Sequence, residues 1–290
     1  MIACHPVPVK NRPIQIVSRE DGSGTRDGFV EYITNKEKKT MQLSKDAIIA
    51  DSTAAMLSNV RSNPGAIGYD SEGYVTDDVK ILHLDGIDIE DTQNYPLKRN
   101  LTVVYKESID TTPNRIDSKA IYDTNQAAKK FLQYITSSDV KEQIQKGYVA
   151  LDNSTPYVVA PNLFGTVTIS GSTSLEPLMQ ELKAMYKKVQ PNVQVDITAG
   201  GSGVGRDDVR DNKVDFGMIS ATLSDSQKEN IQNGDTTIQV KTMDIALDKI
   251  AIIVNKLNPY NNITASKLWD IFDIEKTGYK TWGDMNLEET

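Results

Sequence analysis

Apolar residues along this chain come in two rhythms, short runs with the period of a strand and longer stripes with the period of a helix. Ile14–Val17 reads as a strand, and Phe29, Val30, Tyr32 and Ile33 form one face of a helix over 24–33. Asp51-Ser52-Thr53 caps a helix running to Val60, with Ala54, Ala55, Met56 and Val60 on its apolar side. Ser62-Asn63-Pro64-Gly65 is a turn, and Ala66–Tyr69, Val79–Leu84 and Leu101–Tyr105 are strands. Ala128, Phe131, Leu132 and Ile135 stripe a helix over 125–135, and Ser137-Ser138-Asp139 caps another over 140–145. The segment 153–163 holds two prolines and no periodicity, so it reads as a linker. The alternation then restarts. Strands are expected at 166–169, 192–198, 214–220 and 245–254, with helices to about Val189, over 224–231 and over 266–272, and a loop at 279–284 carrying Trp282. Strands alternating with helices predict an α/β architecture with largely parallel sheets, which bind ligands beyond the carboxyl ends of their strands.

Those carboxyl ends are where the chemistry gathers. Asp21–Thr25, Ser170–Ser174 and Gly200–Gly205 are Gly/Ser/Thr turns that follow predicted strands, and Ser220-Ala221-Thr222 is a shorter one. A helix start leaves backbone N–H groups without intrahelical partners, and with the positive end of the helix dipole they form a seat for an anion. Arg19 adds a planar, permanently charged fork, and Asp21 stands two residues on to hold it. One such turn is an ordinary turn; several in the same strand–turn position could surround a tetrahedral oxyanion.

Charge and composition narrow the classes. At 290 residues the chain is long enough for two lobes, and its net charge of −8 argues against nucleic acid as a partner. Local donors still suffice for a small anion. One cysteine, Cys4, forbids an intramolecular disulfide, and two histidines, His5 and His83, are too few for a zinc cluster. No cofactor is expected. No apolar run approaches the ~20 residues of a membrane span, and Met1–Cys4 has no apolar signal core before it. There is no phosphate-binding loop with its lysine, no dinucleotide fingerprint and no nucleophile elbow. Ser23 lacks an evident base, because His5 lies in the leader and His83 within a strand, so no catalytic residues are expected. Trp269 and Trp282 read as core or lobe-edge residues.

Taken together, the motifs resemble the phosphate-binding proteins of ABC transporters. The matching pieces are Gly171-Ser172-Thr173-Ser174 with Pro177, Gly200–Gly203, Asp215-Phe216-Gly217, Arg19–Thr25, Ser52-Thr53 with Ala55-Met56, Asn63–Tyr69, Tyr95-Pro96-Leu97 and Gly147-Tyr148-Val149. They span nearly the whole chain from about Asn11. Their order differs from the family's, which begins with the Gly171–Thr173 piece and reaches the Asp21–Thr25 piece near its middle. The resemblance therefore implies a two-lobed type II periplasmic-binding-protein fold, circularly permuted, with the old ends joined by 153–163 and Thr290 read as once continuous with Asn11. One lobe would be discontinuous, 11–96 plus 257–290, and the other continuous, 97–256. The rival account is a fragment of a tandem repeat, in which each half completes a neighbouring chain as a domain-exchanged dimer.

The resemblance also implies a function. Ser172, Thr173, Ser174 and Ser202 would bind inorganic phosphate, Arg19 would pair with it, braced by Asp21, and Ser23, Gly24 and Thr25 would close the second lobe over it by hinge motion. Ser220 stands where some members place an aspartate that accepts the proton of monohydrogen phosphate. A hydroxyl can accept but is not obliged to, which weakens discrimination against sulfate. The expected role is the substrate-binding component of an ABC phosphate transporter, extracytoplasmic, non-catalytic and recognised by a membrane permease. The alternatives are a binder of sulfate, molybdate or tungstate, and a phosphate-sensing module uncoupled from transport. A phosphatase would need a nucleophile–base pair or a metal site, and neither is visible.

Overall fold

In the computed structural model, residues 8–109, 120–274 and 279–285 are described; Cys4 and His5 lie outside them. The chain divides into two compact units. The first comprises the described residues of Met1–Glu20, Thr25–Lys98 and Lys249–Thr290, and the second Asp21–Gly24 and Arg99–Asp248.

The first unit opens with β1 (Gln15–Arg19), α1 (Gly24–Glu37), β2 (Ile48–Ala50), α2 (Thr53–Ser62), β3 (Ala66–Ser71) and β4 (Val79–Leu84). β1 lies between β2 and β3, parallel to both, with Val17 opposite Ile48 and Ile16 opposite Ile67. All six positions of β3 are buried, as a strand covered on both faces must be. The predicted start of α2 holds: Ser52 Oγ accepts from the Ala55 N–H at 3.2 Å and caps it. α1 runs one turn past the predicted 33, because Thr34–Glu37 continue the helix without adding to the core.

The second unit holds β5 (Lys98–Ser108), α3 (Ile121–Thr124), α4 (Gln126–Ile135), α5 (Lys141–Ile144), β6 (Val149–Ala150), β7 (Gly165–Gly171), α6 (Glu176–Val189), β8 (Val193–Ala199), α7 (Ser202–Arg210), β9 (Phe216–Ile219) and α8 (Asp225–Gln232). β10 (Ile238–Asn255) then carries the chain back into the first unit, where β11 (Asn262–Ile263) and α9 (Ala265–Phe272) follow. β7 is central, parallel to β8 on one side and to β9 on the other, and β9 pairs antiparallel with β5. The Asp215 carboxylate fastens the start of β9: it accepts from the Thr168 N–H at 2.8 Å, the Thr168 hydroxyl at 2.9 Å and the Asn125 amide at 2.9 Å. Asn125 in turn caps α4, accepting from the Ala128 N–H.

Within the first unit the last part of β10 pairs antiparallel with β3 and with β4, with Ile252 opposite both Tyr69 and Leu82. β10 is longer than the apolar run 245–254 suggests. Its first half, Ile238–Asp244, is half-exposed and carries Gln239, Lys241, Thr242 and Asp244, so hydropathy alone misses it. Each unit has its own core. Phe29, Ile67, Tyr69 and Ile252 lie in the first, with Trp282 fully buried and Trp269 packed at its edge; Phe131, Ile169, Leu182 and Phe216 lie in the second. Residues 153–163 hold neither strand nor helix, as the two prolines predict, and Tyr157 pins them edge-on against Tyr134 and Tyr186.

Candidate functional site

Because β8, β7 and β9 run parallel, their carboxyl ends finish side by side. Gly171, the last residue of β7, stands opposite Ala199 of β8 and Met218 of β9. The three turns that leave this edge carry Ser172–Ser174, Gly200–Ser202 and Ser220. Gly171 has φ +130°, and a Cβ there would collide with the Met218 backbone. Only glycine lets the turn pass so close. Its carbonyl accepts from the N–H groups of both Gly200 and Gly201 at 2.9 Å, which locks the first two turns together.

Three hydroxyls on this edge have definite partners, those of Ser172, Ser202 and Ser220. Ser172 Oγ accepts from the Ser174 N–H at 3.2 Å and the Leu175 N–H at 3.3 Å, capping the entry to α6, while its own O–H stays available to donate. Ser202, the first residue of α7, accepts the Ser220 N–H at 3.2 Å, and its Oγ lies 3.2 Å from Ser220 Oγ. Ser172, Ser174, Ser202 and Ser220 are all buried, and Thr173 is half-buried.

The Asp21–Gly24 turn completes this cluster in the second unit. Gly22, with φ +85°, accepts the Gly203 N–H at 3.0 Å, at the start of α7. Gly24 fits against the serine pair so closely that a Cβ would stand 2.6 Å from Ser220 Oγ and 2.9 Å from Ser202 Oγ. Ser23, between them, is buried. The structure thus brings Ser172, Thr173, Ser174, Ser202, Ser220, Asp21, Ser23 and Gly24 into one unit.

Arg19 and Thr25, both buried, belong to the first unit and flank that turn in the chain. Arg19 is gripped by its neighbour Glu20, its Nε donating to Glu20 Oε2 at 2.8 Å and Nη2 to Oε1 at 2.9 Å, a two-pronged charged contact. Nη1 donates to Thr53 Oγ1 at 3.3 Å. The Arg19 backbone N–H meets Tyr69 Oη at 3.2 Å, which also lies 2.7 Å from Ser18 Oγ. Burial raises the Tyr69 phenol above its ordinary range, so it stays neutral while its oxygen accepts the Arg19 N–H. The sequence reading missed Glu20, Thr53 and Tyr69 as partners of Arg19. Only Glu20, adjacent in the chain, gave any signal.

It also missed what stands behind Ser220. Arg99, buried, donates through Nη1 to the Ser220 carbonyl at 3.3 Å and through Nε and Nη2 to Asp248 Oδ2 at 3.0 and 2.8 Å. No sequence pattern joins residues 149 apart. Elsewhere His83 is an exposed partner of Asp88 at 3.2 Å. Among the described residues no three His, Cys, Asp or Glu side chains are arranged to hold a metal, and no helix is long and apolar enough to cross a membrane.

Comparison with known proteins gives concordant results. The sequence profile described as the PBP superfamily domain matches residues 7–139 and 159–289. The chain is 34% identical over 283 residues to the phosphate-binding protein PstS 2 of Streptococcus agalactiae, covering 94% of this chain and 88% of that one. It is 32% identical over 278 residues to PstS 2 of Streptococcus pneumoniae, covering 93% and 86%. A crystal structure of a phosphate-binding protein of a phosphate ABC transporter from S. pneumoniae superposes with a TM-score of 0.66 at 31% identity, over 94% of this chain and all of that one.

Proposed function

We propose that this chain, which belongs to the PBP superfamily and within it to the PstS phosphate-binding proteins, binds inorganic phosphate as the substrate-binding component of an ABC transporter. The observation that carries the reading is the donor cluster at the ends of β7, β8 and β9. The buried hydroxyls of Ser172, Ser174, Ser202, Ser220 and Ser23 and the half-buried one of Thr173, with the N–H groups of Gly24 and the helix starts, make a neutral shell suited to a small oxyanion. Arg19, two residues before the turn, would supply the charge, Asp21 would help hold it, and Thr25, directly after Gly24, a further hydroxyl. The same chemistry needs no nucleophile and no metal, so we read the protein as non-catalytic. Its partners would be phosphate and a membrane permease, and its place of action outside the cytoplasmic membrane.

The order of the pieces supports a further part of the reading, a circularly permuted member of the family. The piece with Asp21–Thr25 precedes the piece with Ser172–Ser174, and 153–163 runs between the halves without regular structure. A protein opened within 153–163 and rejoined from Thr290 to Asn11 should fold and bind phosphate. An insoluble product would count against the permutation.

Ser220 favours a second reading of the substrate. With a hydroxyl at this position, nothing in the edge of serines obliges the anion to carry a proton, so sulfate is a competitor. Calorimetric titration with phosphate and then sulfate, on protein stripped of anions by unfolding and refolding, decides between them. Tight phosphate and weak sulfate binding supports the first; equal binding supports a general oxyanion binder. Arg19→Ala should weaken phosphate binding by about 100-fold or more, since it removes two or more charge-assisted hydrogen bonds at about 1.5–3 kcal/mol each. Unchanged affinity in that variant would remove Arg19 from the site.

A further inference from the structure

Arg206 lies one helical turn after Ser202 on α7, and it is the exception among the arginines. Arg19, Arg26, Arg61, Arg99 and Arg210 each donate a side-chain hydrogen bond. Arg210, one turn further, engages Asp207, Asp211 and Asn230, and Arg61 engages Asp78. The guanidinium of Arg206, half-buried in a chain with 40 acidic and 32 basic residues, has no hydrogen bond or ion pair among the described residues. Its Nη2 sits beside two glycine backbones, 3.9 Å from where a Cβ on Gly22 would stand and 3.7 Å from one on Gly203.

Arg206 lines a cavity of about 220 Å³ between α7 and α8, together with Gly203, Asp207, Ser226, Gln227 and Asn230. The hydrogen bonds around this cavity leave it lined with donors. Gln227 Oε1 accepts from the Ser224 N–H at 3.0 Å in the capping box of α8, so the amide NH₂ end of Gln227 is left over. Asn230 Oδ1 accepts from Arg210 at 3.4 Å, which leaves its NH₂ end over as well. Neither NH₂ group has a partner among the described residues. The carboxylate in the wall, Asp207, is already committed to Arg210 at 2.7 Å. A guanidinium and two amide NH₂ groups, none with a partner among the described residues, thus share one small cavity.

We propose that this cavity is a second, weaker oxyanion site. Resting on the reading of the inner cluster as a phosphate site, it receives the same tetrahedral anion one helical turn out from Ser202. In an acidic protein such a site concentrates an anionic ligand beside its final seat, an effect that salt screens.

The test is a titration of the full chain with inorganic phosphate at low ionic strength, following the Nε–Hε resonance of Arg206 in ¹⁵N-labelled protein alongside calorimetry. The wild type should saturate twice, once tightly and once at a phosphate concentration at least about 100-fold higher, with the Arg206 resonance moving in the second phase. Arg206→Gln should lose the weak phase and keep the tight dissociation constant within about twofold. Arg19→Ala should keep the weak phase while losing the tight one. A wild type with a tight phase alone, or an Arg206→Gln variant that keeps both, overturns the proposal. A weak phase with no tight phase in the wild type upholds this site and instead overturns the phosphate reading of the inner cluster.

Discussion

Glycine 24 carries the sharpest consequence at the scale of single residues. Its Cα hydrogens face two serine hydroxyls at distances no methyl group can take, and the Ser220 backbone carbon would be 2.8 Å from a Cβ. Backbone cannot yield as a flexible side chain does. Gly24→Ala should therefore push the turn off the serine pair, at a cost of about 1–3 kcal/mol in whichever interaction holds it there. Phosphate affinity measured by calorimetry should fall about tenfold or more. Unaltered affinity would show that the turn does not need its place beside Ser202. The residue scale is also where reading the sequence succeeded and failed most clearly. Small polar residues directly after strands announce themselves, so Ser172, Ser202 and the Asp21–Thr25 turn were legible. Contacts made across sequence distance were not. Arg99, Asp248 and Ser220 meet only because β5, β10 and β9 lie together, and no local pattern in any of the three says so.

Among elements, the apolar stripes and the Ser52 cap are legible because they are local, whereas Ser137, expected to cap a helix over 140–145, makes no capping hydrogen bond and leads into a short 3-10 turn instead. α2, α4, α8 and α9 begin at Ser52, Asn125, Ser224 and Thr264, each with its side chain accepting a backbone N–H. β2 and the first half of β10 were missed for the opposite reason. Ile48 and Ile49 are exposed, and Gln239 and Lys241 are polar, so neither stretch carries the buried signature of a strand. One cap does more than start a helix. Asn125 ends α4's exposed N–H groups and also donates to the Thr166 carbonyl at 2.8 Å and to Asp215. It ties α4 to β7 and to the residue that leads into β9. Asn125→Ala should destabilise the second unit by about 2 kcal/mol, more than an ordinary cap, because Asp215 is buried and loses a donor. Urea unfolding followed by circular dichroism checks this. A loss no larger than a few tenths of a kcal/mol would mean that the cap stands alone.

For the molecule as a whole, the tyrosines set the alkaline limit. Burial raises the phenols of Tyr69, Tyr95, Tyr122 and Tyr186 above their ordinary value near 10. A group whose pKa is higher folded than unfolded stabilises the fold fully below its unfolded value, and loses that contribution as pH rises through its folded value. Above about pH 10 the unfolded chain sheds phenolic protons that the folded chain keeps, so stability falls. The urea midpoint should be flat with respect to these groups at pH 8 and should drop steeply between about pH 10 and 11.5. A midpoint that holds across that range would mean that these phenols ionise freely in the native protein. Tyr134 and Tyr105, raised likewise, add to the effect.

Trp282 and Trp269, the chain's two tryptophans, both lie in the first unit, one fully buried with its indole N–H on the Gly65 carbonyl at 3.0 Å. The second unit, with its tyrosine cluster of residues 105, 122, 134, 157 and 186, has none. Light beyond the tyrosine band therefore excites one half of the protein alone. Red-edge fluorescence follows the first unit alone, whereas tyrosine absorbance, with tyrosines such as Tyr69 and Tyr95 in the first unit and Tyr134 and Tyr186 in the second, follows both, and a denaturation curve whose two channels fail to coincide shows that the units melt separately.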